Sequence, residues 1–91
     1  RNPTMIDFDK IQKDIEQNKI DTAIEQLEGL IKENPSNDKL YYLLGNAYRK
    51  SGNWQMAINN YLEALDINPA GEAKDMLVDI LEFYNKDMYN Q

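Results

Sequence analysis

Ninety-one residues and 10.6 kDa, with 42% hydrophobic and 29% charged, suffice for one small folded domain and not for two. Sixteen acidic against ten basic residues, with no histidine, set the net charge at −6, which repels a phosphate backbone and argues against a nucleic-acid partner. The lack of both Cys and His excludes disulfides, thiol nucleophiles, thiolate and imidazole metal ligands and the commonest general base.

Apolar residues recur at three and four along almost the whole chain, the helical period. Phe8, Ile11 and Ile15 predict a first helix over roughly 5–17, with Thr4 as N-cap and Asp7 as its capping-box partner. Ala23, Ile24, Leu27, Leu30 and Ile31 predict a second over roughly 20–34. Leu40, Tyr41, Leu43, Leu44, Ala47 and Tyr48 mark a third over roughly 38–51, closed by Gly52 as a left-handed cap. Asn53 then caps a fourth helix with the stripe Ala57, Ile58, Tyr61, Leu62 and Leu65, which Pro69 terminates. A fifth helix, about 71–89, carries Leu77, Ile80, Leu81, Tyr84 and Met88 on one face. Valine occurs only at position 78 and no stretch alternates long enough for a strand. The fold class is all-α, in antiparallel helical hairpins joined by short turns.

Pro35 and Pro69 are 34 residues apart, as are Ala23 and Ala57, Ile24 and Ile58, and Leu27 and Tyr61. A fixed period of this size signals a repeat. Residues 38–71 resemble the tetratricopeptide repeat, through Tyr41, Leu44, Gly45, Tyr48, Gly52, Ala57, Tyr61, Ala64 and Pro69. Tyr41 stands for the usual Trp and Tyr61 for the usual Phe. Residues 4–37 carry the second half of the pattern only, in Ala23, Leu27, Leu30 and Pro35. Residues 72–91 place Val78-Asp79 where the Leu-Gly pair would stand, which favours a capping helix over the start of a third repeat. The resemblance implies two repeats plus a C-terminal capping helix in one domain over 1–91, forming an α–α superhelix. Gly45 and Ala57 are expected to face each other, being small where the hairpin helices approach.

Tests for chemistry fail one by one. Glu25/Glu28/Lys32 and Asp75/Asp79/Glu82 have the spacing of solvated helix faces, not of a paired acid and base in a dry site. Asp7-Phe8-Asp9 lacks the ligands and turn glycine of a calcium loop, and no glycine-rich phosphate loop exists. No catalytic residue, cofactor or metal is expected. No apolar run approaches the ~18 residues of a membrane span, and no signal peptide is visible. A first residue other than Met reads as a processed or excised piece.

In the family resembled, the first helix of each hairpin lines a concave groove that binds protein or peptide ligands. The resemblance therefore implies groove positions at Lys39, Tyr42, Asn46, Arg49 and Lys50 on the third helix. On the fifth it implies Met76, Ile80, Phe83 and Tyr84, with Ala73 beside them, and on the divergent repeat Met5, Phe8, Gln12, Ile15 and Glu16. Phe8, Ile15 and Ile80 are equally readable as core. Lys39, Arg49 and Lys50 would steer an acidic segment, while Tyr42 and Phe83 would anchor apolar side chains. The carboxylate clamp some relatives use for acidic C-termini is not expected: Asn46 fits it, but Tyr42 replaces its lysine. The implied function is non-catalytic protein–protein binding. The alternative is a self-association surface: the fifth helix has an apolar arc of roughly 160°, wider than one hairpin covers, pointing to a weak homodimer around Phe83 or to contact with the rest of a longer protein.

Overall fold

The computed structural model describes residues 5–89 and contains, within them, five α-helices and no strand. These are α1 Phe8–Glu16, α2 Ile20–Glu33, α3 Asp38–Lys50, α4 Trp54–Ile67 and α5 Ala73–Tyr89. The expected start of α1 near residue 5 is corrected. Asp7 is itself the N-cap, its carboxylate accepting the backbone N–H of Lys10 at 3.1 Å, so helical geometry begins only after it. Thr4 lies outside the described residues.

The turns repeat with the sequence. Asn18 after α1 and Gly52 after α3 both have positive φ, 67° and 84°, and stand 34 positions apart. Asparagine and glycine are the residues that enter this left-handed region at low cost. Asn53 accepts the N–H of Met56 at 3.2 Å and Asn37 that of Lys39 at 3.1 Å, capping α4 and α3. Asn34 and Asn68 end α2 and α4 out of helical geometry before their prolines, Asn68 in the extended region.

Two apolar clusters hold the helices together. Ile11, Ile15, Ala23, Leu27, Leu40, Leu43, Leu44 and Ala47 unite α1, α2 and α3. Ala57, Tyr61, Ala64, Ala73 and Ile80 unite α4 and α5. Tyr42 and Tyr48 pack against both, so α3 carries the continuity of the stack. Full burial of Tyr61 stabilises by roughly 1.5–3 kcal/mol, as for other large side chains.

Three expectations about packing change. The nearest neighbour across from Gly45 is the ring of Tyr61: a Cβ at Gly45 would overlap that ring. Leu62 on α4 and Leu81 on α5 are half-exposed, although both fall on predicted stripes. A terminal helix pair has a neighbour on one side only, so part of each stripe stays uncovered. The Met88 side chain lies outside the described residues.

α5 packs on α4 through Ala73 and Ile80. Where α3 turns Tyr41, Gly45 and Tyr48 toward the α4 cluster, the positions 34 further on are Asp75, Asp79 and Glu82, all exposed. This face of α5 is thus acidic and solvated. The described residues form an elongated body of 57 × 28 × 18 Å.

Candidate functional site

Positions 42, 46, 49 and 50 share one face of α3, because i, i+4, i+7 and i+8 fall within one helical stripe. The positions 34 earlier on α1 include Gln12, Ile15 and Glu16, and 34 later on α5 comes Met76. The fold brings these together as an open cleft of about 450 Å³, walled by Gln12, Ile15 and Glu16 on one side and Arg49, Trp54 and Met76 on the other. Tyr42, Asn46 and Lys50 lie along it. Eight of the residues named from sequence therefore converge: Gln12, Ile15, Glu16, Tyr42, Asn46, Arg49, Lys50 and Met76.

A hydrogen-bond chain fixes the floor. The buried Tyr61 hydroxyl donates to Asn46 Oδ1 at 2.6 Å, and Asn46 Nδ2 donates to Gln12 Oε1 at 3.2 Å, tying α4 to α3 to α1. Burial pushes the Tyr61 phenol up to about 12, with the nearby Arg49 guanidinium offsetting part of that effect. The phenol is thus a donor at neutral pH, and this orients the Asn46 amide. Asn46 is largely buried by this network and serves as framework under the cleft. Tyr42 stacks obliquely on Tyr61, with ring centres 6.2 Å apart, which gives the cleft a rigid aromatic base.

Arg49 is held in place without a carboxylate. Its Nη1 donates to Met76 Sδ at 3.5 Å, and its guanidinium lies 6.0 Å from the centre of the Trp54 ring. The ion pairs among the described residues are Lys10–Asp14 and Lys39–Glu72, so neither Arg49 nor Lys50 belongs to one. Glu16 is the single acidic residue along the cleft.

The other residues named from sequence sit elsewhere. Lys39 is away from the cleft, paired with Glu72 at 3.5 Å and 5.2 Å from the centre of the Phe8 ring. Ile80 is 2% exposed and belongs to the α4–α5 cluster, which corrects its placement as an exposed groove residue. Ile15 is likewise core, reaching the cleft only with its edge. Phe83 stands in a neighbouring cleft on α5, 68% exposed, and Tyr84 is half-exposed on the same helix. Trp54 was not legible as a site residue. Its signal is that the sole tryptophan falls off the Ala57–Tyr61–Ala64 stripe, at the first position of α4. No group of three or more potential metal-ligating side chains occurs among the described residues, and none of their helices is long and apolar enough to cross a membrane.

Residues 39–70 match a family model of the tetratricopeptide repeat, and residues 12–52 match a second model described as TPR repeat. The second begins within α1, so most of the divergent first hairpin falls inside the matched region. A solution NMR structure of the Bacteroides fragilis protein BF1650 is similar at a TM-score of 0.76 and 47% sequence identity. The match covers 96% of this chain and 92% of that one. No curated protein matches the chain.

Proposed function

The chain belongs to the tetratricopeptide repeat family, whose repeats generally mediate protein–protein interaction, and from that membership we propose that it binds an acidic peptide segment of a partner protein in the cleft over α1, α3 and α5. The observation that carries this reading is Arg49. In a chain of net charge −6, it is a half-buried cation set on an aromatic and a thioether wall, outside the ion pairs of the described residues, with Lys50 beside it. A guanidinium so positioned is preorganised for a carboxylate, which it meets through two parallel N–H donors. A carboxylate of the partner supplies counter-charge beyond that of Glu16, the one acid along the cleft.

Selection from a library of random dodecapeptides displayed on phage tests the reading. Acid-rich sequences are expected to enrich at low salt and to fade as salt rises. They are expected to fail against a variant with Arg49→Glu and Lys50→Glu. Enrichment of basic peptides, or equal recovery by the variant, moves binding away from this cleft.

A second reading rests on α5, where Val78, Leu81, Phe83 and Tyr84 remain exposed. Pairing of that helix with its copy in a second molecule would cover them. The same residues then serve self-association, and the state of the protein at high concentration separates the two readings.

A further inference from the structure

The cleft does not end at Arg49. Arg49 and Trp54 also form one wall of a second opening of about 540 Å³, between the start of α4 and the middle of α5. Its apolar surface comes from Trp54, Phe83 and the edge of Ile80. Lys86 stands at one side, and Asp79 and Glu82 form the lip on α5. Resting on the acidic-peptide reading, we infer that the two openings form one bipartite site. It takes a peptide whose acidic side chain lies at Arg49 and Lys50 and whose neighbouring aromatic or large aliphatic side chain enters between Trp54 and Phe83.

Charge sets this composition and its direction. Arg49 and Lys50 face the first opening against a single acid, Glu16, whereas the lip of the second carries two carboxylates, Asp79 and Glu82, with Lys86 at its side. A run of acids continuing past Trp54 would meet Asp79 and Glu82 and be repelled. An apolar residue there meets Trp54 and Phe83 and loses nothing to that charge. Trp54 and Phe83 are 40% and 68% exposed, so both have surface left to bury against a ligand. Met76, between the openings and bonded to Arg49, offers an adaptable thioether where the peptide crosses.

The same dodecapeptide library gives the test, read for a different feature. Acid-rich sequences that also carry Phe, Trp, Leu or Met at a fixed spacing from an acid are expected. Against Phe83→Ser, a change at an exposed position, the acidic preference should persist and the apolar one vanish. A synthetic peptide from the pool should change the fluorescence of Trp54, the sole tryptophan, and bind Phe83→Ser about tenfold more weakly. Acidic peptides without the apolar residue, or an apolar preference untouched by Phe83→Ser, overturn the bipartite site and leave the Arg49 reading standing. Failure to enrich acids at all overturns both.

Discussion

Gly45 on α3 and Tyr61 on α4 meet across the second hairpin: the phenol ring lies over the glycine where a Cβ would have to go. The small residue is thus required by the ring of Tyr61. Ala57, fully buried on the same α4 face, contributes its own small volume one turn earlier.

Replacing Gly45 by Ala is expected to destabilise by about 1–3 kcal/mol through overpacking, despite the better helix propensity of alanine. Gly29 is the control. It lies in the interior of α2 with nothing near its missing Cβ, so Gly29→Ala should stabilise by about 0.5–1 kcal/mol. Urea denaturation of the two variants reads both signs. If both changes stabilise, the Gly45–Tyr61 contact is not tight. Ala57→Leu should behave like Gly45→Ala, losing about 1–3 kcal/mol.

Tyr61 makes stability sensitive to alkali. Burial raises its phenol from 10.0 to about 12, so the folded protein retains a proton that the unfolded chain has already lost. The stability due to this difference is complete below about pH 10 and disappears as pH rises through 12. Denaturation midpoints measured at stepped pH should fall over that window, and Tyr61→Phe should flatten this part of the fall. Absorbance titration of the folded protein should show one of its six tyrosines ionising later than an ordinary tyrosine.

The hydrogen-bond chain through Asn46 predicts a structural cost for changing it. Asn46→Leu leaves the buried Tyr61 hydroxyl without its acceptor, a loss of about 1–3 kcal/mol. Tyr61→Phe in the same molecule should recover much of that loss. A double-mutant cycle by thermal or urea unfolding measures the coupling, and strict additivity of the two changes would mean that the bond contributes nothing.

Lys39 and Arg49 should separate in binding. Lys39 already has Glu72, so Lys39→Glu is expected to leave the affinity for a selected acidic peptide nearly unchanged. Arg49→Glu should weaken it roughly tenfold or more. Titration by fluorescence anisotropy checks the ranking, and equal losses would place the peptide across both ends of α3.

Self-association through α5 should appear as a mass that rises with concentration in sedimentation, and Leu81→Asp or Phe83→Asp should abolish the rise. A monomer at the highest concentration reached, or dimers indifferent to both changes, rules out the α5 contact.

The period of 34, the helix spacing and the proline, glycine and asparagine punctuation are properties of the chain read in order, and they determine five helices, the first four in two hairpins. Local rules suffice there, because a left-handed turn at Gly52 or a cap at Asn53 depends on its immediate neighbours. The same period aligned Gln12, Ile15 and Glu16 with the groove face of α3, and they do line one cleft with it. What sequence order could not decide is which members of a stripe meet a neighbour. Helical spacing treats Ile80 and Phe83 alike, yet the packing of α5 on α4 buries the first and leaves the second exposed. Tyr61 reaching Gly45, Lys39 turning to Glu72, and Trp54 joining Arg49 each depend on the distance and tilt between helices. Those quantities come from how whole side chains pack, and only the tertiary structure contains them.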